Sequence, residues 1–261
     1  MEPSPSLLSR RFRGGPLSRG TSLLALELHP PGPSFPQAGF DAGLACLGRV
    51  ETTRILRYRH REDQERSLAG ALLSRLALGA VLLPEELGSG PWALAVNRGP
   101  TGRPYLEVGL RPPPVGRPAG PATDFNLSHA GRWVVCLAAR GARVGVDVEE
   151  LRPVEPGIYP LCLDRAEQEA LSARPPAERL ATFFAVWTAK EARLKALGTG
   201  LLTPPASISA AAPEGWRQAH VWLDEKHLLA MCVERPALLP RRPTVLTVAE
   251  LLETLPGLRV S

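Results

Sequence analysis

Val144-Gly145-Val146-Asp147-Val148-Glu149 is the stretch on which the reading of this chain turns. The side-chain period of a strand is two, so the three valines face one side while Gly145, Asp147 and Glu149 face the other. Two carboxylates then project together beside a position that has no side chain. Like charges about 6–7 Å apart along a strand repel unless a cation sits between them, and hard oxygen ligands of this kind suit Mg²⁺. An ordinary half-buried strand with a solvated acidic face has the same pattern, and this stretch alone does not separate the two.

Immediately upstream, Arg132–Ala139 is predicted as a strand, joined to Arg143–Glu149 through Arg140-Gly141-Ala142. Before it, Phe125-Asn126-Leu127-Ser128-His129 leaves a run with five prolines between 111 and 121 and is expected to form the junction into the Trp133 strand. A histidine at such a junction donates to a phosphate oxygen, acts as a base or fixes a turn. Ser128 and His129, adjacent on extended chain, point to opposite faces and do not make a catalytic triad, and no Gly-x-Ser-x-Gly elbow is present.

Downstream, a long helix is predicted from about 177 to 197, ended by Gly198 and Gly200. Its apolar stripe of Leu180, Phe183, Phe184, Trp187 and Leu194 puts Glu191 inside the stripe, flanked by Lys190 and Lys195. An intrahelical ion pair is one explanation. A phosphate site is the other, since two of the chain's three lysines fall within six residues here and an ammonium is a compact charge for phosphate.

The rest of the chain supplies a frame. Residues 1–20 read as a mobile extension and Thr21–Leu28 as a strand. Arg61–Leu78 reads as an amphipathic helix with Leu68, Leu72, Leu73 and Leu76 on one face. Strands are expected at Trp92–Val96, Arg103–Val108, Ser207–Ala211, Trp216–Trp222 and His227–Glu234. A short helix is expected at Arg165–Ser172 and a last helical element at Thr247–Leu255. The chain divides into the extension 1–20, a first half 21–140 and a second half 141–261, each an α+β unit with a long helix and several strands.

Composition narrows the class. At 44% hydrophobic and 22% charged over 261 residues the chain is globular, and its apolar runs fall far short of the ~20 residues a membrane span needs. Ser9-Arg10-Arg11-Phe12 has the look of a twin-arginine export signal, but Glu27 and two prolines interrupt the apolar stretch that follows. The net charge of +5 is almost wholly arginine, which suits phosphate-bearing ligands or acidic partner proteins. No nucleic-acid-binding signature accompanies it. The four cysteines lie 90, 26 and 70 residues apart, as expected of free thiols in a reducing cytoplasm.

Taken in order, Phe125–His129, Gly145–Glu149 and Trp187-Thr188-Ala189-Lys190-Glu191-Ala192 resemble the 4′-phosphopantetheinyl transferases, in their larger, surfactin-synthetase-activating class. The likeness continues through Arg57–Asp63, Arg66–Gly70, Gly102-Arg103-Pro104 and Gly198-Thr199-Gly200-Leu201, covering roughly residues 45–235. It implies two similar α+β halves related by a pseudo-twofold axis, with coenzyme A and Mg²⁺ or Mn²⁺ in the cleft between them, in a monomer. The implied reaction moves phosphopantetheine from coenzyme A to a serine of an apo carrier protein. By motif position Asp147, Glu149 and Glu191 hold the metal, and Glu191, Asp147 and Lys195 are catalytic. Arg66, Ser67, Arg103, Ser128, His129, Lys190 and Lys195 surround coenzyme A, with Arg54 and Arg61 as further charge. Asn126 and Trp187 are structural, and the carrier docks around Leu151–Leu171, where Arg152 and Arg165 meet acidic side chains. The alternative is a relative that binds coenzyme A or the carrier without turnover.

Overall fold

The computed structural model describes residues 20–29, 32–99, 102–106, 123–199 and 203–258. Residues 1–19 of the 1–20 extension, the proline run and the Gly200-Leu201 part of the motif turn lie outside them. In chain order the elements are β1 (Thr21–Glu27), α1 (Gln37–Ala45), α2 (Arg49–Leu56), α3 (Arg61–Gly79), α4 (Pro84–Leu87), β2 (Val96–Arg98) and β3 (Pro104–Leu106). There follow β4 (Thr123–Ala130), β5 (Trp133–Arg140), β6 (Val144–Glu150), α5 (Tyr159–Cys162), α6 (Arg165–Ser172), α7 (Pro176–Leu197), β7 (Trp216–Trp222), β8 (His227–Glu234), β9 (Thr244–Leu246) and α8 (Val248–Leu252).

The architecture is α+β, with two sheets laid face to face and a long helix outside each. The first sheet has the order β4-β5-β1-β9, and the second β6-β8-β7. Strand β5 shows why the sheets stack. Its Val134, Cys136 and Ala138 pack with Leu68, Leu72, Leu73 and Leu76 of α3, while Trp133, Val135, Leu137 and Ala139 meet Val144, Val146 and Val148 of β6 with Leu229, Met231 and Val233 of β8. A strand buried on both faces reads as a continuous apolar run, as this one does. Helix α7 covers the far face of the second sheet, with Ala192 against Ala230 and Cys232.

Several expectations change. Phe125–His129 is no junction but the middle of β4, which pairs antiparallel with β5 from Thr123↔Arg140 to Ala130↔Trp133 across a Gly131-Arg132 turn. Gly131 takes φ +51°, the left-handed conformation such a turn requires. Trp92 lies in a 3-10 turn, Pro91–Ala93, its indole N–H donating to Thr254 C=O at 3.1 Å, and the strand begins only at Val96. The strand expected at Ser207–Ala211 is a 3-10 turn followed by irregular chain, whose polar groups are taken by side chains: Arg193 donates to Ala211 C=O and Ala210 N–H to Glu167. The 21–140 and 141–261 division is crossed by the last segment. Strand β9 runs parallel to β1, and Val248, Leu251, Leu252 and Leu255 enter the core beneath α3.

Candidate active site

The site grows out of one glycine. A Cβ at Gly145 would lie 1.8 Å from the Ala192 carbonyl oxygen and 2.6 Å from the Ala196 nitrogen. Strand β6 and helix α7 therefore touch backbone to backbone, a separation only glycine permits. That approach sets Asp147 and Glu149 of β6 against Glu191 and Lys195 of α7.

On its other edge β6 is held by side chains. The carboxylate of Asp124, the amide oxygen of Asn126 and the hydroxyl of Ser128 accept the N–H groups of Val144, Val146 and Val148 at 2.9, 3.1 and 3.3 Å. Alternate residues of one strand thus satisfy alternate amides of the next, which joins the two sheets without a backbone ladder. Asn126 pins β6 through its bond with the Val146 amide. The reading of the motif does not reach Asp124, whose signal is polar residues at i, i+2 and i+4 alternating with Phe125 and Leu127.

Asp147 is 4% exposed. Its Oδ1 accepts from Lys195 Nζ at 2.7 Å and from Ser128 Oγ at 3.0 Å. Its Oδ2 is buried with no hydrogen-bond partner among the described residues. Burial pushes the Asp147 carboxyl up, against the pull of Lys195. Glu149 accepts from Trp187 Nε1 at 3.2 Å, so the tryptophan orients a carboxylate as well as filling the helix stripe. Burial and then the charge of Asp147 raise the carboxyls of both Glu149 and Glu191. Three acids thus share one electrostatic neighbourhood, and the buried lone oxygen of Asp147 and the hard donor set fit a divalent cation. As the side chains stand, no group of three or more His, Cys, Asp or Glu among the described residues is arranged to close around a metal ion.

Beside the acids, two cations flank a histidine. The His129 ring, on the face of β4 opposite Ser128, has its pKa lowered by partial burial and then by Arg66 and Lys195. Helix α3, strand β4 and helix α7 each contribute one member. Arg66 also pairs with Asp63 at 2.6 Å. On α3, Ser67 accepts from Arg54 Nη1 at 3.0 Å, while Arg61 lies over the Phe40 ring at 3.5 Å and bonds Glu65, so it is a packing residue.

Three expected coenzyme A residues are otherwise engaged. Lys190 is 0% exposed and donates to Cys162 C=O at 2.9 Å and to Glu167, anchoring α6 on α7. Arg103 donates to the Lys195 carbonyl at the end of α7, to both oxygens of Asp124 at 2.8 and 3.0 Å, and to Val144 C=O at 3.4 Å. It clasps the two halves. Ser128 is 8% exposed, and its hydroxyl is already bonded to Asp147, Val148 and Lys195. Each of these side chains bonds protein groups.

A family model described as 4′-phosphopantetheinyl transferase superfamily matches residues 143–247, and another, 4′-phosphopantetheinyl transferase, N-terminal, matches residues 33–141. Among curated relatives, a 4′-phosphopantetheinyl transferase of Bacillus subtilis is 28% identical over 209 residues, 75% of this chain and 86% of the relative. The 4′-phosphopantetheinyl transferase Sfp of Bacillus subtilis strain 168 is 25% identical over 80% of this chain and 91% of its own length. The 4′-phosphopantetheinyl transferase HetI of a Nostoc species is 28% identical over 76% and 83%. One model covers α3 and the β4 ladder, the other the acidic strand and the α7 helix, and with both halves so matched the chain belongs to the 4′-phosphopantetheinyl transferase superfamily.

Proposed function

We propose that this transferase moves the 4′-phosphopantetheine group of coenzyme A onto a serine hydroxyl of an apo carrier protein and releases adenosine 3′,5′-bisphosphate. The observation that carries the reading is the meeting of Asp147 and Glu149 with Glu191 and Lys195 where β6 and α7 touch. Arg66 and Lys195 offer positive charge, and His129 an N–H donor, to the phosphates of coenzyme A. Asp147, Glu149 and Glu191 would hold Mg²⁺ or Mn²⁺, which when bound offsets charge on the diphosphate.

The chain's own groups do the rest. Lys195 gives the diphosphate a fixed point charge, and Trp187 keeps Glu149 turned toward the site. Glu191 is assigned to take the proton of the incoming serine. The serine oxygen bonds to the β-phosphorus as the bond to the bridging oxygen breaks, and the leaving group departs as the bisphosphate. The carrier docks on the segment from β6 to α6, where Ile158 and Leu161 are exposed beside Arg152 and Arg165. The enzyme acts as a monomer, both halves of the site lying in one chain.

Intact-mass spectrometry of an apo carrier incubated with the protein, coenzyme A and Mg²⁺ tests this. The carrier should gain one phosphopantetheinyl group with the unmodified protein and none with Glu191→Gln. Carriers of acyl, peptidyl and aryl type all staying apo while coenzyme A binds would make the protein a binding relative without turnover.

A further inference from the structure

The Ser128 hydroxyl has one proton to give and two lone pairs to fill. Both lone pairs are taken by N–H donors, the Val148 amide at 3.3 Å and Lys195 Nζ at 3.0 Å. The proton therefore goes to the remaining neighbour, Asp147 Oδ1, 3.0 Å away. Val148 lies between Asp147 and Glu149 on β6, so the hydroxyl is referenced to the backbone that carries both acids. A fully used hydroxyl, 8% exposed, has nothing left for a phosphate oxygen.

The consequence for Asp147 is an unequal pair of oxygens. Oδ1 receives two donors, one of them charged, while Oδ2 is buried without one among the described residues. We propose that Ser128 is a positioning residue: by fixing Asp147 Oδ1 to itself and Lys195, it reserves Oδ2 for the divalent cation and keeps the Lys195 ammonium beside it for the diphosphate. This rests on the reading of Asp147 as a metal ligand given above. Hydrogen-bond partners of ligating carboxylates tune metal affinity in this way, typically by about 10–100-fold when removed.

The test is Mn²⁺ titrated into the protein saturated with coenzyme A and followed by EPR, with coenzyme A alone as the blank, alongside steady-state KM for coenzyme A. Ser128→Ala should weaken Mn²⁺ binding about tenfold while KM for coenzyme A moves less than about threefold. Ser128→Thr, which keeps a hydroxyl on a strand-favouring side chain, should bind Mn²⁺ within about threefold of the unmodified chain. Unchanged Mn²⁺ affinity in Ser128→Ala with a tenfold rise in KM would overturn the proposal and make the hydroxyl a substrate contact. Should the alanine variant fail to fold, Ser128→Cys, a poor donor of similar size, decides between the same two outcomes. Asp147→Asn separates the layers. If it leaves Mn²⁺ binding intact the metal reading itself fails, whereas if it abolishes binding and Ser128→Ala does not weaken it, only the positioning role is lost.

Discussion

The amide oxygen of Asn126 accepts the backbone N–H of Val146 at 3.1 Å, with both residues buried. It is the middle rung of three that join β4 to β6, and the one with no charge and no contact with the acids or Lys195. Its loss therefore reports on the joint alone. Asn126→Ala leaves a buried amide without a partner and should cost about 1–3 kcal/mol in urea denaturation. Coenzyme A affinity should follow only as far as the fold is lost.

Gly145→Ala should be far more damaging than its single methyl suggests. The new Cβ would meet α7 backbone, not a flexible side-chain end, so the helix must move. Overpacking of this kind costs about 1–3 kcal/mol and sometimes more. Activity should fall further than stability, because the displaced helix carries Glu191 and Lys195. Thermal unfolding and carrier modification, measured on the same preparation, check both.

Lys190→Met separates a structural lysine from a phosphate ligand. It removes the charged partner of Glu167, which among the described residues keeps backbone donors at Asp164 and Ala210. Breaking a buried pair from one side costs about 3–5 kcal/mol. KM for coenzyme A should stay within about twofold, since the ammonium is fully buried and already bonded to Glu167 and the Cys162 carbonyl. A large rise in KM at unchanged stability would restore the phosphate role.

Asp224, in the β7–β8 turn, gives a pH-dependent prediction. Burial opposes its charge, but hydrogen bonds from Trp133 Nε1 at 2.8 Å, the Lys226 and His227 amides, His227 Nδ1 and Arg132 outweigh that and hold its carboxyl far below the ordinary range. A depressed carboxylate stabilises the fold above its unfolded pKa, about 3.9, and that contribution is lost as pH falls through the folded value. Asp224→Asn should be clearly destabilised at pH 7, with the gap to the unmodified chain closing only below about pH 4. Denaturant midpoints at pH 7, 4 and 2.5 test this. A gap that stays constant across the series would remove the ionised carboxylate as its cause.

The long elements were legible because their periodicity is strong. The apolar face of Arg61–Gly79, the doubly buried run of β5 and the alternation of β6 each survive into the structure. Helix α1 was hidden by its glycines, which look like breakers. A Cβ at Gly39 would come 2.5 Å from Leu252, and one at Gly43 would press Leu68 and Leu72. They are packing glycines, and their partners lie far off in sequence. That Asp147 and Glu149 share one face of β6, and Glu191 and Lys195 one face of α7, is legible because alternate-residue and one-turn spacings fix it. The protein partners of Lys190, Arg103 and Ser128 are not legible in the sequence, because residue type announces charge or hydroxyl, whereas direction depends on Glu167, Asp124 and Val148, which only tertiary structure brings near. No helix among the described residues is long and apolar enough to cross a membrane.

The return of β9 and α8 to the first sheet bears on how the protein is made. Strand β1 needs Thr244–Leu246 beside it, and the core beneath α3 needs Leu251, Leu252 and Leu255. During synthesis, domains usually fold in the order in which they leave the ribosome. Here the sheet that begins at residue 21 lacks an edge until residue 246 has emerged, whereas the second sheet has all its strands by residue 234. A gene cut between the two halves would leave the first fragment with an open sheet edge and a gap in its core. A chain made from its N-terminus finishes its first sheet last.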